Sequence, residues 1–230
     1  MEQISMNEIQ LVTQNINDII TNKIFKLPYF NKTNFNINVK TFERTLITDF
    51  ENFINKVPPA FYYAQNNTLY VATVLFHPAL LMHEMIHMVS ANIEKNIVGY
   101  ADNVENYYFN EAATQYLTSK YFDNQNDSNG YGEITHIFNK LVKKYGEDIM
   151  LNGFFEANYN KFISQFNDYD KNIIRNSISE MNKIMEEKEK NLIATTPNKW
   201  VCSFFISYNV FPLYYSNGIF FHIYSYYYNS

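Results

Sequence analysis

Residues 78–90 read PALLMHEMIHMVS, and this stretch constrains the fold more than any other. A helix that is apolar nearly all round is a buried helix. Pro78 suits its first turn, where the missing N–H is not needed. The expected helix carries Leu81, Met82, Met85, Ile86 and Val89 into the core and fades before Gly99. Yet it also carries His83, Glu84 and His87, two of the five histidines in the chain. Buried polar rings are costly unless something compensates them. Residues four apart on a helix share a face one turn apart, so His83 and His87 can aim their imidazole nitrogens at one ion. Neutral imidazole is a zinc ligand at about 2.0–2.1 Å, and a catalytic zinc keeps three protein ligands and a water. Glu84 projects beside that position, where a carboxylate can take a proton from the water.

The flanking pattern supports this expectation. Ile9, Val12, Ile16, Ile19 and Ile20 recur at helical spacing, NFNINVK (34–40) alternates as a strand does, and Leu46, Phe50, Phe53, Ile54 and Val57 restore the helical period up to Pro58-Pro59. Two aromatic and β-branched runs around Gln65-Asn66-Asn67 then read as a β-hairpin over 60–76, leading into the histidines. A second helix is expected from about Asn106 to Phe122, and after the polar loop 124–132 the chain reads as helical. One stripe there is Ile134, Ile137, Phe138, Leu141 and Val142; another is Ile173, Ile174, Ile178, Met181, Ile184 and Met185. EEKEK (186–190) reads as the solvated end of the last helix. A chance His-Glu-x-x-His need be neither helical, nor preceded by a hairpin, nor followed by a third ligand.

A third ligand is on offer in FNEAATQYL (109–117), where Glu111 stands among Ala112, Ala113 and Leu117. A carboxylate in such an apolar segment would be costly unpaired, whereas bound to a metal it is not. Asp102 and Glu105, in the connecting loop, are the fallback ligands. HEMIH followed by NEAATQ resembles the gluzincin metallopeptidases, of which the thermolysin-like enzymes are typical. The resemblance covers about residues 83–116. It implies one Zn²⁺ held by His83, His87 and Glu111, Glu84 as general base, and a peptide or protein substrate. It also implies a zincin-like α+β fold: a small sheet packed on the active-site helix, followed by a mainly helical C-terminal portion. The thermolysin-like pattern has Asp four residues after the ligand Glu, where this chain has Gln115, an acceptor without charge. The Gly-x-Met-Glu-Asn segment with which the related aminopeptidases grip a free amine is not in the sequence, which favours an endopeptidase. A Tyr or His should stabilise the oxyanion. Tyr100, Tyr131, His136, Tyr145 and Tyr159 are all conceivable among the 20 tyrosines and five histidines. His77 reads as a helix-start residue, and His222 has no partner in view. The second strand of the hairpin, from Tyr70 to Phe76, is the expected edge for an extended substrate.

Residues 1–197 read as one domain and 198–230 as an aromatic-rich, uncharged tail or hairpin, without Asp, Glu, Lys or Arg from Trp200 to Tyr228. Asn209, Pro212 and Asn217 in that tail favour a hairpin or loose tail over a membrane span, so membrane association through 200–228 is not the favoured reading. A net charge of −5 gives no electrostatic reason to expect nucleic acid. The single Cys202, and a start with no basic region leading into an apolar run, fit a cytoplasmic protein. The rival functional reading is a non-catalytic, zinc-stabilised binding or structural domain, membrane-associated through its tail. It would need a fourth protein ligand.

Overall fold

A computed structural model describes residues 6–27, 45–48, 60–65, 68–72, 77–122 and 130–195. Helix α1 (Met6–Asn22) leads through a 3₁₀ turn at Ile24–Lys26 towards strands β1 (Thr45–Thr48), β2 (Ala60–Tyr63) and β3 (Thr68–Ala72). Helix α2 (Pro78–Val89) follows, then a short ribbon of β4 (Ala91–Asn92) and β5 (Ile97–Val98). After a second 3₁₀ turn at Val104–Asn106 come α3 (Tyr107–Phe122), α4 (Gly132–Tyr145), α5 (Glu147–Phe155), α6 (Tyr159–Ser164) and the long α7 (Asp168–Thr195). The described chain is therefore mainly helical with a small sheet, which agrees with the α+β expectation at that coarse level. No helix among the described residues is long and apolar enough to cross a membrane.

The hairpin forms as the sequence predicts, with Phe61 opposite Tyr70 and Tyr63 opposite Thr68. Two expectations around it need correction. Leu46, placed at the start of a helix by its apolar spacing, lies instead in strand Thr45–Thr48, which pairs in parallel with β3, Thr45 opposite Leu69 and Thr48 opposite Ala72. Three of its four residues are β-branched, and an available partner strand outweighs a helical period set mostly by residues further on. The second correction follows from the first. The sheet order is β1-β3-β2, so β3 is central and its backbone from Leu69 to Val71 is paired on both sides. Among the described residues the edges are β1 and β2, and β3 cannot accept a substrate strand over Leu69 to Val71. The strand expected at 34–40, the rest of the 46–57 helix and the tail 198–230 lie outside the described residues.

The sheet packs on α2 through β2 and β3, and α3 also packs against α2. The stripe Ile134, Ile137, Phe138, Leu141 and Val142 is buried on α4, and of the second stripe Ile174, Ile178, Met181 and Met185 are buried on α7 while Ile173 and Ile184 are partly buried against the core. Tyr100 sits at the centre, its ring 4.7 Å from that of Phe109 and 4.9 Å from that of Phe162, and its hydroxyl donates to the Met150 carbonyl.

The turn between α2 and α3 depends on Gly99. Its φ is +52°, and its N–H donates to Ser90 O at 3.0 Å, closing the ribbon. A Cβ there would overlap Asn110 Oδ1 and the Phe154 ring. Gly99→Ala is therefore expected to destabilise the fold by roughly 2–4 kcal/mol. Gly146 is the control, with φ +92° but nothing within 4 Å of a new Cβ. Thermal melts should show Gly146→Ala losing clearly less than Gly99→Ala.

Candidate metal centre

Local sequence explains how α2 delivers its polar residues. His77 is extended and caps the helix, its Nδ1 accepting from the Ala79 N–H at 3.2 Å, and Pro78 occupies the first turn. From Leu81 to Ser90 every residue is buried. His83 and His87 stack one turn apart with their rings edge-on, 4.7 Å between centroids. Helix α3 faces them with a polar stripe in an otherwise apolar surface: Asn110, Glu111, Thr114, Gln115 and Thr118, all buried.

Ligand atoms of three residues converge where the helices meet. His83 Nε2 lies 3.0 Å from Glu111 Oε2, His87 Nε2 lies 3.3 Å from Glu111 Oε1, and the two Nε2 atoms are 3.1 Å apart. In tetrahedral coordination with bonds of about 2.0–2.1 Å, neighbouring ligand atoms stand roughly 3.3–3.4 Å apart. The observed spacings fall at or just under that.

The protons leave a gap in the middle. His83 Nδ1 faces the Gln115 side-chain oxygen at 3.1 Å, and the Gln115 amide nitrogen in turn donates to Ser119 Oγ at 3.4 Å. An amide oxygen only accepts, so the His83 proton is on Nδ1 and its Nε2 presents a lone pair. Nε2 faces a Glu111 carboxylate oxygen at 3.0 Å, a spacing that a shared cation, proton or metal, satisfies. Glu111 Oε1 is buried without a hydrogen-bond partner, and so is Glu84 Oε1. The residues fit a divalent ion with nitrogen and oxygen ligands.

The two carboxylates are tuned in opposite directions. Burial pushes Glu84 well above its ordinary value, and nearby Glu111 adds to this; the Tyr62 backbone N–H, which donates to Oε2 at 2.9 Å, offsets only part. Burial would raise Glu111 too, but His87 and His83 outweigh it and hold its pKa at about 2. His83 is lowered, chiefly by burial. Paired acids whose environments push them apart are the mark of divided roles, one permanently ionised and one able to exchange a proton.

Glu84 lies close enough to share a site with the histidines, since one ligand atom from each of the three falls within 4.8 Å of the others. Glu111 is nearer to both nitrogens, and Glu84 is tied to the edge strand by Tyr62. The fallback carboxylates are used elsewhere: Asp102 Oδ1 accepts from Asn106 Nδ2 at 2.8 Å, and Glu105 is exposed. Of the five conceivable oxyanion groups only Tyr131 comes to the cluster, its ring stacked on His83 at 5.8 Å and 20°. Tyr100 is locked in the core, Tyr145 donates to Asp170 Oδ1 at 2.8 Å, Tyr159 packs on Tyr100 and Phe109, and His136 is exposed on α4. His222 lies outside the described residues.

Three participants escaped the reading of the sequence. Tyr62 acts through its backbone, which no motif reveals. Asn110 and Thr114 were legible in principle, because with Glu111 and Gln115 they form one polar face of a helix that is otherwise apolar.

No family model, no curated protein and no solved structure matches this chain.

Proposed function

We infer that this protein is a zinc-dependent peptidase of the gluzincin type, with His83, His87 and Glu111 holding the metal and Glu84 as general base. One observation carries the reading: His83, His87 and Glu111 converge at 3.0–3.3 Å, with buried Glu84, whose Oε1 has no partner, close enough to the histidines to share the site. Bound there, zinc would acidify a water and polarise a scissile carbonyl. The rest of the chemistry belongs to the chain. Tyr62 N–H anchors Oε2 of Glu84 and leaves Oε1 to take the proton of the attacking water and pass it to the leaving amine. A raised carboxyl pKa suits that exchange. Gln115 orients His83, and Tyr131 braces the ring from its face.

Near-complete burial of all four residues, none above 1 % exposed, is the observation that favours a second reading, a non-catalytic domain pinned by zinc. Such a site needs a fourth protein ligand. Among the described residues Glu84 is the remaining neighbour, and its hydrogen bond to Tyr62 holds it to β2. The catalytic reading is therefore preferred, with an endopeptidase favoured over an aminopeptidase.

The test is digestion of a mixed peptide library by the zinc-loaded full chain, read by mass spectrometry. New termini that disappear with chelator are expected; no cleavage by protein carrying one zinc would overturn the peptidase reading and leave the structural one. Gln115 supplies a graded prediction. Gln115→Ala should weaken zinc binding about 10–100-fold, and Gln115→Asp, which restores a charged acceptor, should strengthen it relative to the wild type. Competition against a chromophoric chelator measures both.

A further inference from the structure

We propose that Thr114 is the positioning residue that selects the zinc-binding tautomer of His87, an inference that rests on the metal reading above. His87 turns Nε2 towards His83 and Glu111, so for that atom to offer a lone pair its proton must sit on Nδ1. Two side chains face Nδ1: Thr114 Oγ1 at 3.3 Å and Asn110 Nδ2 at 3.4 Å. Asn110, next to the ligand Glu111, is the obvious partner, but its amide is turned the wrong way. Its Oδ1 accepts from the Tyr100 backbone N–H at 2.9 Å, which leaves the amide nitrogen towards the ring. An amide nitrogen donates and cannot accept the Nδ1 proton.

Thr114 can. Its hydroxyl proton goes to the Asn110 backbone oxygen at 2.9 Å, so the oxygen turns lone pairs to His87. The two neighbours thus favour opposite tautomers. With Thr114 accepting, Nδ1 carries the proton and Nε2 is free to bind. Without it, Asn110 donates to Nδ1 and the proton moves to Nε2, 3.1 Å from His83 Nε2, in the direction the ion must occupy. A single buried hydroxyl decides between them.

Thr114→Val keeps the side-chain shape and removes the acceptor, Thr114→Ala removes it with less volume, and Thr114→Ser retains it. Zinc affinity by chelator competition, with the metal-free melt as a check on folding, separates these effects. Thr114→Val and Thr114→Ala should each bind zinc about 10–100-fold more weakly than wild type, with Thr114→Ser close to wild type. Wild-type affinity in either acceptor-free variant would overturn the assignment. So would a serine variant as weak as valine, because shape rather than the hydroxyl would then be responsible. A wild type that takes up no zinc would overturn the metal reading itself, and this inference with it.

Discussion

Glu84→Gln is expected to lower peptide hydrolysis by about 10²–10⁴-fold while leaving zinc content unchanged. The amide can still accept the Tyr62 N–H, so the side chain stays in place and only the exchangeable proton site is lost. The same variant carries an opposite effect on stability. Glu84 is buried, one of its oxygens has no partner, and its pKa is raised well above the usual 4.5. A raised folded pKa means that Glu84 costs the fold nothing at pH values below the unfolded one and destabilises it as pH rises through the folded one. The metal-free Gln variant should therefore be more stable than metal-free wild type at pH 8, by on the order of 1–3 kcal/mol, with the gain shrinking towards pH 4.5. Paired melts in chelator at the two pH values check this. A residue kept for packing would lose stability on substitution, whereas one kept for chemistry can gain it.

Withdrawing the metal should have the other large effect. A ligand present at about a thousand times its Kd stabilises the folded state by roughly 4 kcal/mol. For a chain of this size, that corresponds to a fall in Tm of about 10 °C on chelation. The charge balance explains the size of the effect, because removing the ion leaves two carboxylates, Glu111 and Glu84, buried without it. Added zinc should restore the Tm of the wild type and move that of Glu111→Ala little. Equal shifts in both proteins would mean that zinc stabilises the chain from somewhere else.

The parts of this molecule that were legible in its sequence are those fixed by local pattern. Helix α2 was readable because Pro78 and a continuous apolar run leave few alternatives, and the hairpin because its strands flank a polar turn. Glu111 could be identified because an acid amid Ala112, Ala113 and Leu117 needs a reason to be there. What failed was long-range. Leu46 looks helical from its neighbours and lies in a strand only because β3 lies beside it. That pairing makes β3 central and, among the described residues, leaves β2 at an edge, where the Tyr62 N–H reaches Glu84. Nor did the sequence show which way the Asn110 amide turns, since the Tyr100 N–H beyond the Gly99 turn sets it.

Zinc content per chain is the most direct test of the central claim, measured by elemental analysis on wild type and Glu111→Ala purified identically without added metal. The account predicts about one zinc per wild-type chain and a sharp fall in the variant, as a site with three protein ligands loses one of them. A wild type that holds no zinc even after reconstitution, or a variant that holds as much as the wild type, would contradict it.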